Sequence, residues 1–317
     1  MLFDEPEAAQ LREYLSMLAQ TGCEVIVVDG SPAEIFACHH RAWSNVCQHA
    51  PVDRRFRFLN DKVNGVHTGV ALARTEKIIL ADDDIRYTAA NIEQVCALLD
   101  RFEVVRPQNY LARIVTLWAL TESARMLINR ATLRAADYPG TCAFVKSAIL
   151  RCGEYDGDVL FDNEELIRHF ARHGARICYA TDLFICKRPP GFRKWLEQRP
   201  RQAYEDFGLR FKTLLFASLL PMAIILAAIA SRWLSIFLLS VFLAFAGWLR
   251  GCARKYFPLH ACLFAPLWVF ERTLSTYCAF YWLVAHGGYP FGERVLKKGI
   301  GRDWAEGGRI ASASSRK

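Results

Sequence analysis

The run Lys77 to Tyr87, KIILADDDIRY, constrains this chain more than any other stretch. Ile78, Ile79 and Leu80 form a short apolar run that ends on Asp82, Asp83 and Asp84, the pattern of a buried strand in an α/β sheet. In open sheets of that class, ligands gather beyond the carboxyl ends of the strands. Three adjacent carboxylates repel one another unless a cation lies among them. Asp82 and Asp84, two residues apart, can face one way and bind Mg2+ or Mn2+ through hard oxygen ligands, leaving positions for a diphosphate. A solvated acidic turn fits the same residues.

The 317 residues leave room for one large domain, or for a medium one with an appendage. Eleven cysteines are scattered without a CxxC pair, which points to reduced thiols rather than a disulfide framework. The nearest thing to a metal cluster is Cys38, His39, His40, Cys47 and His49. Residues 1 to 20 carry Asp4, Glu5, Glu7 and Glu13, so no secretory signal opens the sequence. The net charge of +8 is concentrated between Lys187 and Lys212, directly before a long apolar run. That placement suits the cytoplasmic side of a membrane rather than nucleic acid, and no RNA- or DNA-binding signature is present.

In chain order, Asp4 and Glu7 read as a capping box opening a helix with Leu11, Tyr14, Leu15 and Leu18 on one side. Val25 to Val28 read as a second buried strand, with Asp29, Gly30 and Ser31 turning at its carboxyl end. Asp29 can accept hydrogen bonds from a base or ribose, or simply make an Asp-Gly turn. Residues 34 to 48 look helical, Phe56 to Leu59 suit a short strand, and Lys62 is a phosphate or base contact if it is not merely surface. Two strand-plus-acid units joined by helical crossovers describe a parallel α/β sheet with its site along one rim. Further on, Asn91 to Phe102 reads as a helix, VVRPQNY as a strand and turn, Leu111 to Leu133 as a long helix and Arg176 to Tyr179 as a strand.

VIVVDGS, followed some fifty residues later by a strand ending in DxD, resembles the donor half of a family 2 glycosyltransferase with the GT-A fold. The resemblance implies a Rossmann-like nucleotide-sugar-binding domain in which Asp29, Lys62, Asp82 and Asp83 face the donor. It also implies that Asp84, helped by Asp82, holds the metal on the diphosphate. The opening strand of such domains is expected to be short or missing, because only Met1 to Phe3 precede the first helix. Gly153, Tyr155 and Asp156, followed by FDNEEL, resemble the acceptor half of the family. There Asp162 is the first choice for the general base, with Glu165 and Glu164 behind it, although Asp162 also suits a cap for a helix starting at Asn163. Gln198, Arg199, Arg201 and Gln202 resemble a QxxRW motif, with Gln202 in place of tryptophan. The resemblance puts them near the acceptor, with Arg201 close to the leaving group, and a basic juxtamembrane segment fits nearly as well.

Thr213 to Ser231 and Trp233 to Leu249 are free of charge, and each is long enough, or nearly so, for the ~30 Å hydrocarbon layer. They read as a transmembrane hairpin, which places the protein in the inner (plasma) membrane with its catalytic part in the cytoplasm. Phe257 to Ala285, interrupted by Glu271 and Arg272, reads as interfacial or re-entrant helices, or as a third span. The tail after Arg309 looks disordered. The expected division is residues 1–212 for catalysis, 213–249 for the hairpin and 250–317 for the remainder. The expected function is transfer of a sugar, with inversion, from a nucleotide-diphosphate donor to a lipid or lipid-linked acceptor, with Mg2+ or Mn2+. A non-catalytic scaffold retaining the fold and a lipid-directed nucleotidyltransferase are the alternatives.

Overall fold

The computed structural model describes residues 5–229, 233–292 and 294–301. Asp4 as a cap, a strand at residues 1–3 and the tail after Arg309 lie outside them. α1 (Glu5–Gln20) packs on α2 (Ala33–Trp43) through Leu11, Leu15 and Trp43. Between these helices in sequence lies β1 (Ile26–Asp29), which pairs in parallel with β2 (Gln48–Pro51) as a two-stranded sheet of its own. The strand expected at Phe56 to Leu59 does not form. β2 reads QHAP, too polar for an alternation signal, and its pairing with β1 makes it a strand.

α3 (Asp61–Leu72) is capped by Asn60, whose side chain accepts from Lys62 N. β3 (Lys77–Leu80) and β4 (Ile85–Arg86) flank the three acids, and Thr88 and Asn91 form the capping box of α4 (Ala89–Leu99). β5 (Val104–Leu111), α5 (Leu117–Thr132), β6 (Cys142–Val145), α6 (Lys146–Cys152), α7 (Asp162–Arg172) and β7 (Ile177–Lys187) follow. The main sheet runs β3-β6-β5-β7-β4. Only β5 and β7 are parallel; the other three pairs are antiparallel, so the expected all-parallel, Rossmann-like sheet is corrected to a mixed one. β5 is covered on both sides: Val104 packs with Val63 of α3 and Leu166 and Phe170 of α7, and Val105 with Val95 and Leu99 of α4.

β3 and β4 lie at opposite edges, yet only Ala81 to Asp84 join them. Five flat strands would put those edges about 19 Å apart. Five residue steps reach at most about 18 Å. The sheet therefore has to curl, and the register of β5 against β7 shifts between Pro107 and Gln108. The curl leaves Asp82, Asp83 and Asp84 spanning the gap between its edges.

The rest of the chain is α8 (Phe192–Glu205), α9 (Arg210–Ile229), α10 (Trp233–Leu249), α11 (Ala265–His286), β8 (Tyr289–Phe291) and β9 (Arg294–Leu296). Among the described residues, no helix is long and apolar enough to cross a membrane, which overturns the transmembrane hairpin and, with it, the inner-membrane placement. α10 has 17 residues. At 1.5 Å each they reach about 25 Å. α9 contains Pro221, and Lys212 near its start pairs with Asp206 at 2.9 Å. α11 is one continuous helix whose central charges bind protein: Arg272 reaches Asp206 at 3.2 Å and Gln202 at 2.9 Å, and Glu271 lies 3.7 Å from Arg199. Two charges in mid-helix are spent on riveting α11 to α8 rather than on any surface role.

α10 crosses α5 at Gly247, where a Cβ would overlap the Leu127 carbonyl oxygen. A backbone atom cannot swing aside as a side chain does. Gly247→Val is therefore expected to cost about 2 kcal/mol or more through overpacking, read as a lowered thermal unfolding midpoint.

Candidate active site

Asn60 explains why residues a hundred positions apart meet. Its side chain donates to Val159 O at 2.9 Å, its N–H donates to Gly157 O at 3.0 Å, and Leu59 N donates to Asp158 Oδ1 at 2.9 Å. The first turn of α3 is thereby fastened to the loop that leads into α7. Lys62 then lies between two acids, 2.7 Å from Asp82 Oδ1 and 3.2 Å from Asp162 Oδ2, and it donates to Asn163 Oδ1 at 3.0 Å. Burial alone would lower the Lys62 pKa, but Asp162 and Asp82 raise it above its ordinary value, and Lys62 is charged. Asp82 is held below the ordinary carboxylate range, because Lys62 outweighs burial.

Asp84 has the opposite environment. Burial raises its pKa and the neighbouring Asp82 and Asp83 add to that, against the pull of Lys187 at 3.5 Å. Its Oδ1 is buried without a hydrogen-bond partner. A buried carboxylate oxygen that lacks a donor fits a cation ligand, and a divalent ion held by Asp82 and Asp84 relieves the crowding of like charge. Asp83 faces Lys194 of α8 across 3.9 Å. At Gly140 a Cβ would come within 2.8 Å of Asp82 Oδ2, so that turn has no space for a larger residue.

The three acids of FDNEEL separate cleanly. α7 begins at Asp162 itself, after Phe161, so Asp162 is not the cap. Glu164 accepts from Arg106 at 2.7 Å and Arg168 at 3.3 Å, all three buried. Glu165 accepts from Arg172 at 2.5 Å and from Gly301 N at 3.0 Å. Both glutamates are thus occupied in structural pairs, and Asp162 is the one turned toward Lys62. Glu164→Gln leaves the buried guanidinium of Arg106 without a countercharge. It is expected to cost roughly 3 kcal/mol in thermal or denaturant unfolding.

The residues expected at the acceptor also divide. Arg199 is buried, 3.2 Å from Glu122 and over the Trp195 ring, and Gln202 accepts from Arg272, so both join α8 to α5 and α11. Gln198 is half-buried on the same helix. Arg201 stays at the cleft: its charge helps hold Asp82 ionised, and its Nε donates to Glu205 at 3.2 Å. Glu205 has a raised pKa from burial, against Arg201 and reinforced by Asp206 and Asp162. From the sequence, it and Lys187 belong only to the basic segment that runs to Lys212, not to the site. The one signal for Glu205 was its place one helical turn after Arg201. Beside Lys194, α8 and α5 expose Phe192, Leu196 and Leu117, with Phe192 tilted against Trp118 at 5.4 Å.

Asp29 ends β1 as expected, but its oxygens are engaged. Oδ1 accepts from Ser31 N at 2.8 Å, and Oδ2 from His39 at 2.7 Å and His49 at 3.2 Å. Burial pushes Asp29 up, and the Ser31, His39 and His49 hydrogen bonds outweigh it, bringing it to about 2. His39 and His49 therefore serve a carboxylate, and Cys38 and Cys47 bond elsewhere, to Arg41 and the Trp43 carbonyl.

No protein-family model matches the chain, and no curated protein does. Among solved structures, it is similar to the mannosyltransferase PcManGT from Pyrobaculum calidifontis, which was solved in complex with GDP-Man and Mn2+. Identity is 16%, the match covers 90% of this chain and 85% of that one, and the TM-score is 0.51, so the two share a fold. A mycobacterial protein is similar at 12% identity over 64% of this chain and 70% of that one, with a TM-score of 0.41, too low to carry an argument.

Proposed function

We propose that this protein is a divalent-metal-dependent glycosyltransferase that moves a sugar from a nucleotide-diphosphate donor to an acceptor hydroxyl, with inversion. The observation that carries the reading is the meeting of Asp82 and Asp162 on Lys62 beside the unpartnered oxygen of Asp84. The shared fold of a mannosyltransferase supports it. Mg2+ or Mn2+ held by Asp82 and Asp84 would supply neutralisation of the charge that builds on the departing diphosphate. Asp29, kept ionised, offers a remaining lone pair of Oδ1 to the donor's ribose or base, and Asp83 lines the donor side. Asp162 takes the proton from the attacking hydroxyl while Lys62 holds its carboxylate in place. Arg201 adds positive charge where the diphosphate leaves, and Gln198, Arg199 and Gln202 support the acceptor side by fixing α8.

Residues 1–212 are assigned this chemistry, and the described residues of 213–249 and 250–317 pack against that part of the chain. A lipid or lipid-linked acceptor is supported by the exposed apolar side chains of Leu117, Phe192 and Leu196 beside the acidic rim. The test is transfer of label from a panel of nucleotide-sugars, guanosine-linked mannose with Mn2+ first, into acceptors that do and do not extract into organic solvent. Transfer that needs the metal and enters the organic phase supports the whole reading. Transfer into water-soluble acceptors alone removes the lipid. A folded protein that transfers from no donor removes the enzyme.

A further inference from the structure

Away from the acidic cleft, the far end of α7 meets the end of α6 at three residues that offer nitrogen and sulfur. Cys152 closes α6, His169 lies in the last turn of α7 and His173 follows at its cap. One ligand atom from each lies within 4.8 Å of the other two. Cys152 and His169 are buried and His173 is exposed, which leaves an entry path from solvent. The two histidines are four residues apart, so one helical turn puts them on the same side, with ring centroids 4.4 Å apart.

The hydrogen bonds of both rings suit ligation. His169 Nε2 donates to Gly153 O at 3.1 Å, and His173 Nδ1 donates to His169 O at 2.8 Å. Each ring is thereby held by a carbonyl, and its other nitrogen keeps a lone pair, the arrangement that orients imidazoles around metals.

We propose that Cys152, His169 and His173 form a zinc site with a water molecule as fourth ligand. Zinc bonds to nitrogen and sulfur of roughly 2.0–2.3 Å put tetrahedral ligand atoms about 3.5 Å apart, so small side-chain rotations close the triad. Binding releases the Cys152 thiol proton to solvent and leaves a zinc thiolate. The soft sulfur and two imidazoles select zinc, whereas Mg2+ and Mn2+ prefer the carboxylates of the cleft. α7 is 11 residues long. That places His169 about 10 Å and His173 about 16 Å from Asp162 along the helix. A filled site fastens the end of α6 to the end of α7 and so closes the loop that delivers Asp162.

The full chain, stripped with chelator, is titrated with Co2+ and then Zn2+. One equivalent of Co2+ is expected to give a thiolate-to-metal charge-transfer band and the visible absorption of a four-coordinate ion, both abolished by Zn2+. Cys152→Ser is expected to lose the charge-transfer band. His173→Ala, at an exposed position that leaves the core intact, is expected to lose both the binding and the rise in unfolding temperature with Zn2+. Asp82→Asn and Asp84→Asn are expected to change neither, which keeps this test separate from the proposed activity. Absence of the charge-transfer band from folded wild-type protein, or its survival in Cys152→Ser, overturns the proposal.

Discussion

Asp84→Asn is expected to abolish metal-dependent transfer while making the metal-free protein more stable. The two effects have one cause. Asp84 sits half-buried beside two other carboxylates with its buried Oδ1 unpartnered, and its pKa is raised above the ordinary carboxylate range. A carboxyl group whose pKa is higher in the folded state destabilises that state wherever it is ionised, so at neutral pH the wild-type chain carries a penalty that the amide lacks. The penalty shrinks as pH falls through the raised pKa and is gone below the unfolded one. Thermal unfolding in chelator should therefore show the variant ahead at neutral pH and level with wild type in acid. Activity should move the other way, because the amide is a poor ligand for a hard cation, with loss of about 10²–10³-fold or more at saturating donor. An Asp84→Asn protein that is less stable in chelator, yet transfers normally, would show that the acids are an ordinary turn.

Asp162→Asn is expected to lower turnover by about 10²–10⁴-fold with little change in donor binding, the signature of a lost general base. Lys62 keeps its pairing with Asp82 in that variant, so the donor side stays assembled. Glu165→Gln is the control. Glu165 is tied to Arg172 and Gly301 N, and the variant should lose stability before it loses rate. If turnover instead survives Asp162→Asn and disappears in Glu205→Gln, the base is Glu205, the half-buried acid whose raised pKa already suits proton transfer.

Local signals carried the sequence reading as far as they could. β1, β3 and β5 announce themselves because their apolar runs are short and end on turn residues, and Asp82 to Asp84 are legible as a site because adjacent like charges need a reason. Order within the sheet is not local. β2, with its polar QHAP, becomes a strand only against β1, and β6 separates β3 from β5 by pairings that no periodicity records. Arg199 and Gln202 matched a motif by spacing, yet spacing does not say which side of α8 faces the cleft, and both turned out to grip α5 and α11. The apolar runs after Lys212 were misread because a composition that suits lipid also suits protein. The Glu271–Arg272 interruption was the clue, since buried charges in mid-helix call for partners, and Arg199, Gln202 and Asp206 supply them.

The short segment after β9 has a consequence for the order in which the protein is made. Leu160 N and Phe161 N, immediately before α7, donate to the carbonyls of Lys298 and Gly299, and Gly301 N donates to Glu165 across 136 residues of sequence. The helix that presents Asp162 is synthesised near the middle of the chain and cannot be locked until Lys298 to Gly301 have left the ribosome. Contacts of that separation form late. A nascent chain halted before Gly299 should therefore be cut by protease around residues 157–161, where the completed protein resists. Quality control of the helix that carries Asp162 thus falls to the stretch from Lys298 to Gly301, far along the chain from the turn it secures.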